Sequence, residues 1–76
     1  MNRRDAPTQL LYDYVKKEEI NVAKMARATG IPYFKLIDSL KNENRSRSLT
    51  AEEFVKVRKY LGIPIERFEA ALPKDQ

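Results

Sequence analysis

The chain has 76 residues, enough for one small domain, and it contains no cysteine and no histidine. These absences exclude disulfides, thiol and imidazole catalysis and the common zinc sites, so we expect neither an enzyme nor a metal or other cofactor. The net charge is +4, and residues 1–50 carry all of the excess, since residues 51–76 have five basic and five acidic side chains. This distribution favours a polyanionic partner for the first part of the chain.

No apolar run approaches the length of a membrane span, and Met1-Asn2-Arg3-Arg4-Asp5 lacks the apolar stretch of a signal peptide. We therefore expect a cytoplasmic protein with no membrane partner. The sequence has neither a glycine-rich phosphate-binding loop nor a nucleophile paired with a base. Nothing in it therefore indicates a small-molecule substrate. Residues 1–7 are expected to form a flexible arm. Arg3 and Arg4 in it either reach along a duplex or, as is more common for chain ends, are simply disordered.

The spacing of apolar side chains predicts a first helix over residues 8–18, with one stripe made of Leu10, Leu11, Tyr14 and Val15. Asn21 is a suitable N-cap for a second helix over residues 22–29. Gly30 is expected to end that helix, because a residue without Cβ adopts the left-handed conformation at little cost.

A third helix is predicted over residues 32–42, with Pro32 in its first turn. Its apolar residues fall within one arc of the surface: Tyr33, Leu36, Ile37 and Leu40. Its polar residues face away from that arc: Lys35, Asp38, Ser39 and Asn42. Residues 41–48 contain no apolar side chain and are predicted to form a surface loop.

Thr50 and Glu53 have the spacing of a capping box at the start of a fourth helix over residues 51–61. The side chains that this helix is expected to turn towards the core are Phe54, Val57, Tyr60 and Leu61. Gly62 is expected to end it, and a fifth helix is predicted over residues 64–72. The predicted fold class is therefore all-α, with five short helices in a single domain over residues 1–76.

The stretch VAKMARATGIPYFKLIDSL, Val22 to Leu40, has the pattern of a helix-turn-helix, in which small Ala26 lets two helices cross closely and Gly30 provides the turn. In this stretch and in SLTAEEFVKVRKYLGIPIERF, Ser48 to Phe68, the chain resembles the lambda-repressor/Cro-like (Xre-type) helix-turn-helix family. The resemblance covers roughly Leu10 to Leu72. It implies a compact five-helix domain whose third helix enters the major groove of DNA.

If the resemblance holds, the start and outer face of helix three contact base edges, through Tyr33, Phe34, Lys35, Asp38 and Ser39. Lys35 can donate to guanine, Asp38 can accept from cytosine, and an aromatic ring can touch a thymine methyl group. For Tyr33 and Phe34, burial in the core is the alternative. Phosphate contacts are expected from groups that flank this helix: Asn21, Lys24, Arg27, Lys41, Asn42, Arg45, Ser46 and Arg47. For the members of the loop, a solvated connection is the alternative.

The sequence thus predicts a regulator of transcription, expected to be a repressor, that binds double-stranded DNA as a homodimer. Ile65, Phe68 and Leu72 of helix five either form the dimer surface or close the core. Two other functions remain open. Tyr33 and Phe34 favour a protein-interaction module, such as an antirepressor or adaptor, and an accessory DNA-binding subunit of a recombination complex would carry the same features. The shortness of the chain suggests a phage or mobile element as its source.

Overall fold

The computed structural model describes residues 4–68, which form four α-helices and one turn of 3₁₀-helix. The helices are α1 (Ala6–Glu18), α2 (Val22–Thr29), α3 (Tyr33–Leu40) and α4 (Ala51–Leu61), and the 3₁₀ turn is Ile65–Phe68. The predicted all-α class is confirmed, and no strand occurs within residues 4–68. No helix in this range is both long and apolar enough to cross a membrane.

Helix α1 begins at Ala6, two residues earlier than predicted, because Asp5 caps it. The Asp5 carboxylate accepts a hydrogen bond of 2.9 Å from the Thr8 backbone N–H, and Pro7 lies in the first turn. Residues 4–7 are therefore ordered against the domain, in contrast to the predicted flexible arm. Met1–Arg3, including the other arginine of that arm, lie outside the described residues.

The predicted boundaries of α2 are confirmed. The Asn21 side chain accepts from the Lys24 backbone N–H at 3.0 Å, and Gly30 follows the helix with a φ of 78°. Helix α3 is shorter than predicted. Pro32 is its N-cap rather than its first residue, and it ends at Leu40.

Helix α4 has the predicted capping box: the Thr50 side chain accepts from the Glu53 backbone, and the Glu53 side chain accepts from the Thr50 backbone. Gly62 ends this helix with a φ of 72°. The prediction of a fifth helix over residues 64–72 is wrong in its described part, where only the 3₁₀ turn forms; the rest lies outside the described residues. Phe68 is buried in this turn, and its ring packs edge-on against Phe54 with ring centroids 4.9 Å apart.

The core lies between two helix pairs, since α1 and α2 each pack against both α3 and α4. Its buried apolar side chains are Leu11, Val15, Val22, Met25, Ala26, Ile31, Leu36, Leu40, Leu49, Val57, Ile63 and Phe68. Two residues that the helical stripes placed towards the core are instead exposed, Tyr33 at 53% and Tyr60 at 37%. Tyr60 lies at the edge of its stripe, and Tyr33 is the first residue of α3.

Candidate nucleic-acid interface

The connection between α2 and α3 sets the position of α3. Thr29 Oγ1 donates to the Met25 carbonyl at 2.8 Å and accepts from the Ile31 N–H at 3.3 Å, which closes the end of α2. Gly30 turns the chain in the left-handed conformation, and Ile31 inserts into the core. Ala26 is buried between the helices, where its small side chain permits close packing. One face of α3 is thereby held against the core.

The opposite face of α3 is open to solvent. Phe34, half-buried Asp38 and exposed Lys41 follow one another at intervals of four and three residues, which places them on one stripe of the helix and its extension. Phe34 is 65% exposed and its neighbour Tyr33 is 53% exposed. The alternative that these two rings belong to the core is therefore wrong, and both are available to a partner.

Ser39 does not belong to this open face, contrary to its predicted base contact. It is fully buried, and its Oγ accepts a hydrogen bond of 2.8 Å from Arg47 Nη1. The loop after α3 folds back over this flank of the helix and covers Ser39, while Lys35, one turn earlier, stays half-buried. A side chain sealed beneath the protein's own loop cannot reach a base edge, so Ser39 is removed from the predicted base contacts.

Arg47 has a structural partner and is also poorly placed for the predicted phosphate contact. Its Nη2 lies 3.0 Å from both carboxylate oxygens of Glu53, and both side chains are largely buried. Burial by itself raises the pKa of Glu53, but hydrogen bonds from Arg47 and the Thr50 backbone, with the charges of Arg47 and Lys35, outweigh burial and lower the pKa below its usual value. Arg47 thus ties the loop to the start of α4.

Arg4 is the residue that sequence reasoning missed at this site. Its guanidinium donates to the backbone carbonyls of Asp38 at 3.1 Å, Asn42 at 2.7 Å and Arg45 at 3.0 Å, and also to the Ser39 carbonyl. These carbonyls lie at the end of α3 and in the loop, where no glycine cap satisfies them. Arg4 therefore closes this helix end from the far end of the chain.

The same guanidinium stacks on Tyr12 of α1, with its central carbon 4.0 Å from the ring centroid. This contact fixes the arginine between α1 and the loop. No local pattern could have indicated it, because 34 to 41 residues separate Arg4 from its acceptors. Arginine near a chain end is ordinarily interpreted as a loose cation.

The loop of residues 41–48 lies at the surface, as predicted, and internal hydrogen bonds order it. The Asn42 side chain accepts from the backbone N–H groups of Asn44 at 2.8 Å and Arg45 at 3.2 Å, so it forms a turn and is directed inward. Arg45 lies beside Asp38, with 3.8 Å between Nη1 and Oδ2, and 74% of its side chain is exposed. Lys41 is exposed and Ser46 is half-buried. The loop therefore presents Lys41 and Arg45 next to the open face of α3.

Helix α2 contributes the other flank. Lys24 and Arg27 are exposed, one turn apart, and Asn21 is exposed at the helix start although its side chain is used as the cap. Arg27 and Tyr33 both line a shallow, largely apolar groove between α2 and α3, of about 460 Å³, which Ala23, Ala26 and Ile31 complete. The rings at the start of α3 thus have a cation beside them.

Comparison with known proteins identifies no relative: no family model matches the chain, and neither a curated protein nor a solved structure is significantly similar to it. Within residues 4–68, no group of three or more carboxylate, histidine or cysteine side chains is arranged to hold a metal ion. The function is therefore inferred from the geometry of the α3 surface and its charges.

Proposed function

We propose that the protein is a sequence-specific regulator of transcription that binds double-stranded DNA through the open face of α3. The single observation that carries this proposal is that exposed basic side chains lie near the open face of α3: Arg27 beside Tyr33, Arg45 beside Asp38, Lys41 at the end of the helix, and Lys24 one turn before Arg27 on α2. A rod of α-helical width fits the major groove, and cations on either side of it can reach the two phosphate strands. The resemblance to lambda-repressor/Cro-like domains supports the same docking.

The acidic groups near this face support the proposal because they are compensated. Asp38 lies beside Arg45, and Glu53 is bound by Arg47, so neither carboxylate stands alone against an approaching phosphate. An isolated carboxylate in this position would repel a duplex. These pairs therefore reduce the repulsion that the two carboxylates would exert on a duplex.

The proposed contact residues are fewer than those predicted from sequence. Base contacts are assigned to Tyr33, Phe34, Lys35 and Asp38. Of these, Lys35 is a half-buried donor at the edge of the open face. Phosphate contacts are assigned to the exposed flanking groups: Lys24, Arg27, Lys41 and Arg45, with Ser46 and the backbone at Asn21 beside them. Asn42 and Arg47, by contrast, are used within the loop and serve to hold it.

The test is selection of a binding site from random duplexes, followed by salt titration of the affinity. Each phosphate contact contributes about 0.9 to the slope of log affinity against log salt concentration. We expect Lys41→Ala and Arg45→Ala each to lower that slope by about one contact and to weaken all sites alike. Lys59→Ala is the matched control, because Lys59 is an exposed cation on α4 with no position on the α3 face.

Arg47→Ala tests whether Arg47 has a structural role, in contrast to the phosphate contact proposed for Arg45 in the same loop. Since Arg47 is bound to Glu53 and Ser39, its removal is expected to lower the stability of the fold and to leave the salt slope of the remaining folded protein unchanged. Failure to enrich any duplex, or an affinity that does not depend on salt, would refute the proposal. Repression is tested with a reporter gene whose promoter overlaps the selected site. We expect the protein to silence it.

We further propose that the protein binds as a homodimer, because symmetric pairs of such modules read palindromic sites. Three residues were predicted either to form the dimer surface or to close the core. Of these, Phe68 is buried in the core, Ile65 is 42% exposed, and Leu72 lies outside the described residues. A selected site with two inverted half-sites and a protein to duplex ratio of two would support the dimer. A single half-site bound by one chain would contradict it.

A protein-interaction module remains the second candidate, and the groove beside Tyr33 is the observation that favours it. An apolar contact of this kind would change little with salt, whereas DNA affinity falls steeply. The titration above therefore distinguishes the two.

A further inference from the structure

We infer that Phe34 recognises the 5-methyl group of a thymine in the major groove, and that this contact is part of how the protein selects its site. The inference rests on the proposed function and deepens it. It starts from the exposure of Phe34, which at 65% is the highest among the exposed large hydrophobic residues of the described chain. The ring leaves apolar surface in contact with water, and covering that surface with an apolar group of a partner would be favourable.

Phe34 lies on the face of α3 that is proposed to meet a duplex. It lies in the first turn of α3, four residues before Asp38, so the two side chains share a stripe and are about 6 Å apart along the helix axis. Lys41 continues the stripe and Arg27 lies beside the adjacent Tyr33. Cations suited to phosphates thus lie near both ends of this stripe, Arg27 beside Tyr33 and Lys41 beyond Asp38, which makes DNA the occupant that matches the charge of this surface.

The chemistry of the major groove restricts what a phenyl ring can recognise there. Guanine, adenine and cytosine present hydrogen-bonding groups on that edge, whereas thymine adds a methyl group beside its carbonyl oxygen. Phe34 has no polar side-chain atom, so placing its ring over a donor or acceptor would desolvate that group without a replacement bond. Contact with the thymine methyl group buries apolar surface on both sides and loses no hydrogen bond.

The contact is tested by substitutions in the selected duplex that change only the methyl group. Each thymine is replaced in turn by deoxyuridine, which keeps the base pair and removes the methyl. We expect one position per half-site at which the affinity of the unaltered protein falls about fourfold, the factor that corresponds to burial of one methyl group. Cytosine at that position should weaken binding, and 5-methylcytosine should restore part of the loss.

The protein variants assign the methyl contact to one side chain. Phe34→Ala should bind the thymine and deoxyuridine duplexes equally at that position, while Phe34→Leu should keep part of the difference. Val55→Ala, the truncation of an exposed apolar residue on α4, is the control and should keep the fourfold difference. Because Phe34 is mostly exposed, Phe34→Ala should unfold at the same temperature as the unaltered protein, and circular dichroism checks this.

The outcomes separate this inference from the proposed function. If a site is selected but no deoxyuridine position weakens binding, or if the weakening persists in Phe34→Ala, the methyl contact is refuted and DNA binding stands. If no duplex is selected, or if the affinity for DNA is unaffected by salt, the proposed function fails and the inference fails with it.

Discussion

Replacing Arg4 with alanine should cause a loss of stability out of proportion to the position of this residue near the chain end. The guanidinium donates to four backbone carbonyls, three of them in partly buried bonds, and stacks on Tyr12 at 4.0 Å. In Arg4→Ala, the carbonyls of Ser39, Asn42 and Arg45 would lose this donor and would have to bond to water instead, while the Asp38 carbonyl would keep its bond of 3.3 Å from the Arg47 backbone N–H.

The magnitude follows from these contacts. Hydrogen bonds from a charged donor contribute about 1.5–3 kcal/mol each, and a cation over an aromatic ring contributes about 0.5–1 kcal/mol. Bonds made by one side chain are not additive, and ordering an arginine costs about 2 kcal/mol. We therefore expect a net loss of about 3 kcal/mol. That is a large share of the roughly 4–11 kcal/mol typical of a chain of this length.

The assay is urea and thermal unfolding followed by circular dichroism, with the melting temperature expected to fall by roughly 12–24 °C. Arg4→Lys is the first control, because it keeps the charge but cannot donate to four acceptors at once; we expect it to lose more than half of the same stability. Lys17→Ala is the second control, the loss of an exposed cation on α1. An Arg4→Ala protein whose free energy of unfolding stays within about 0.5 kcal/mol of the original, the scatter usual for surface substitutions, would refute the reasoning.

Two further predictions concern the start of α4 and the turn before α3. Glu53→Gln should destabilise the fold by about 1–2 kcal/mol at pH 7, through loss of the charge that Arg47 binds. Because folding lowers the pKa of Glu53, this stabilisation is present above the ordinary carboxyl pKa of 4.5 and is lost as the pH falls through the folded pKa. Unfolding curves of the two proteins should therefore converge in acid, and a constant difference down to pH 2 would contradict this assignment. Gly30→Ala should cost about 1–2 kcal/mol from the φ of 78° alone, since an added Cβ meets no atom within 4 Å; Gly30→Asn should cost less, and equal losses would indicate a steric cause instead.

Several elements of the fold could be predicted because their causes are local. The capping box of Thr50 and Glu53, the N-cap at Asn21 and the left-handed glycines act over a few residues, and all are confirmed. The apolar stripes likewise located Leu11, Val15, Leu36 and Leu40 in the core, because helical periodicity alone determines which residues share a face.

The candidate site was only partly predictable. The open face of α3 was anticipated at Phe34 and Asp38, but helical spacing also assigned Ser39 to it, and the returning loop buries that residue. Spacing describes one helix at a time, so it cannot show which flank another segment will cover. The same limit made the partners of Arg47 and the exposure of Tyr33 undecidable before the helices were assembled.

What the sequence by itself determined is the all-helical class, the boundaries of α2, the start of α4 and the polar surface loop, since each follows from interactions among neighbours in the chain. What only the tertiary structure decided is the placement of cations. It assigned Arg4 and Arg47 to holding the loop and left Lys41 and Arg45 at its surface. The physical reason is that a guanidinium selects its acceptors by distance in space, and these acceptors become neighbours only when the chain has folded.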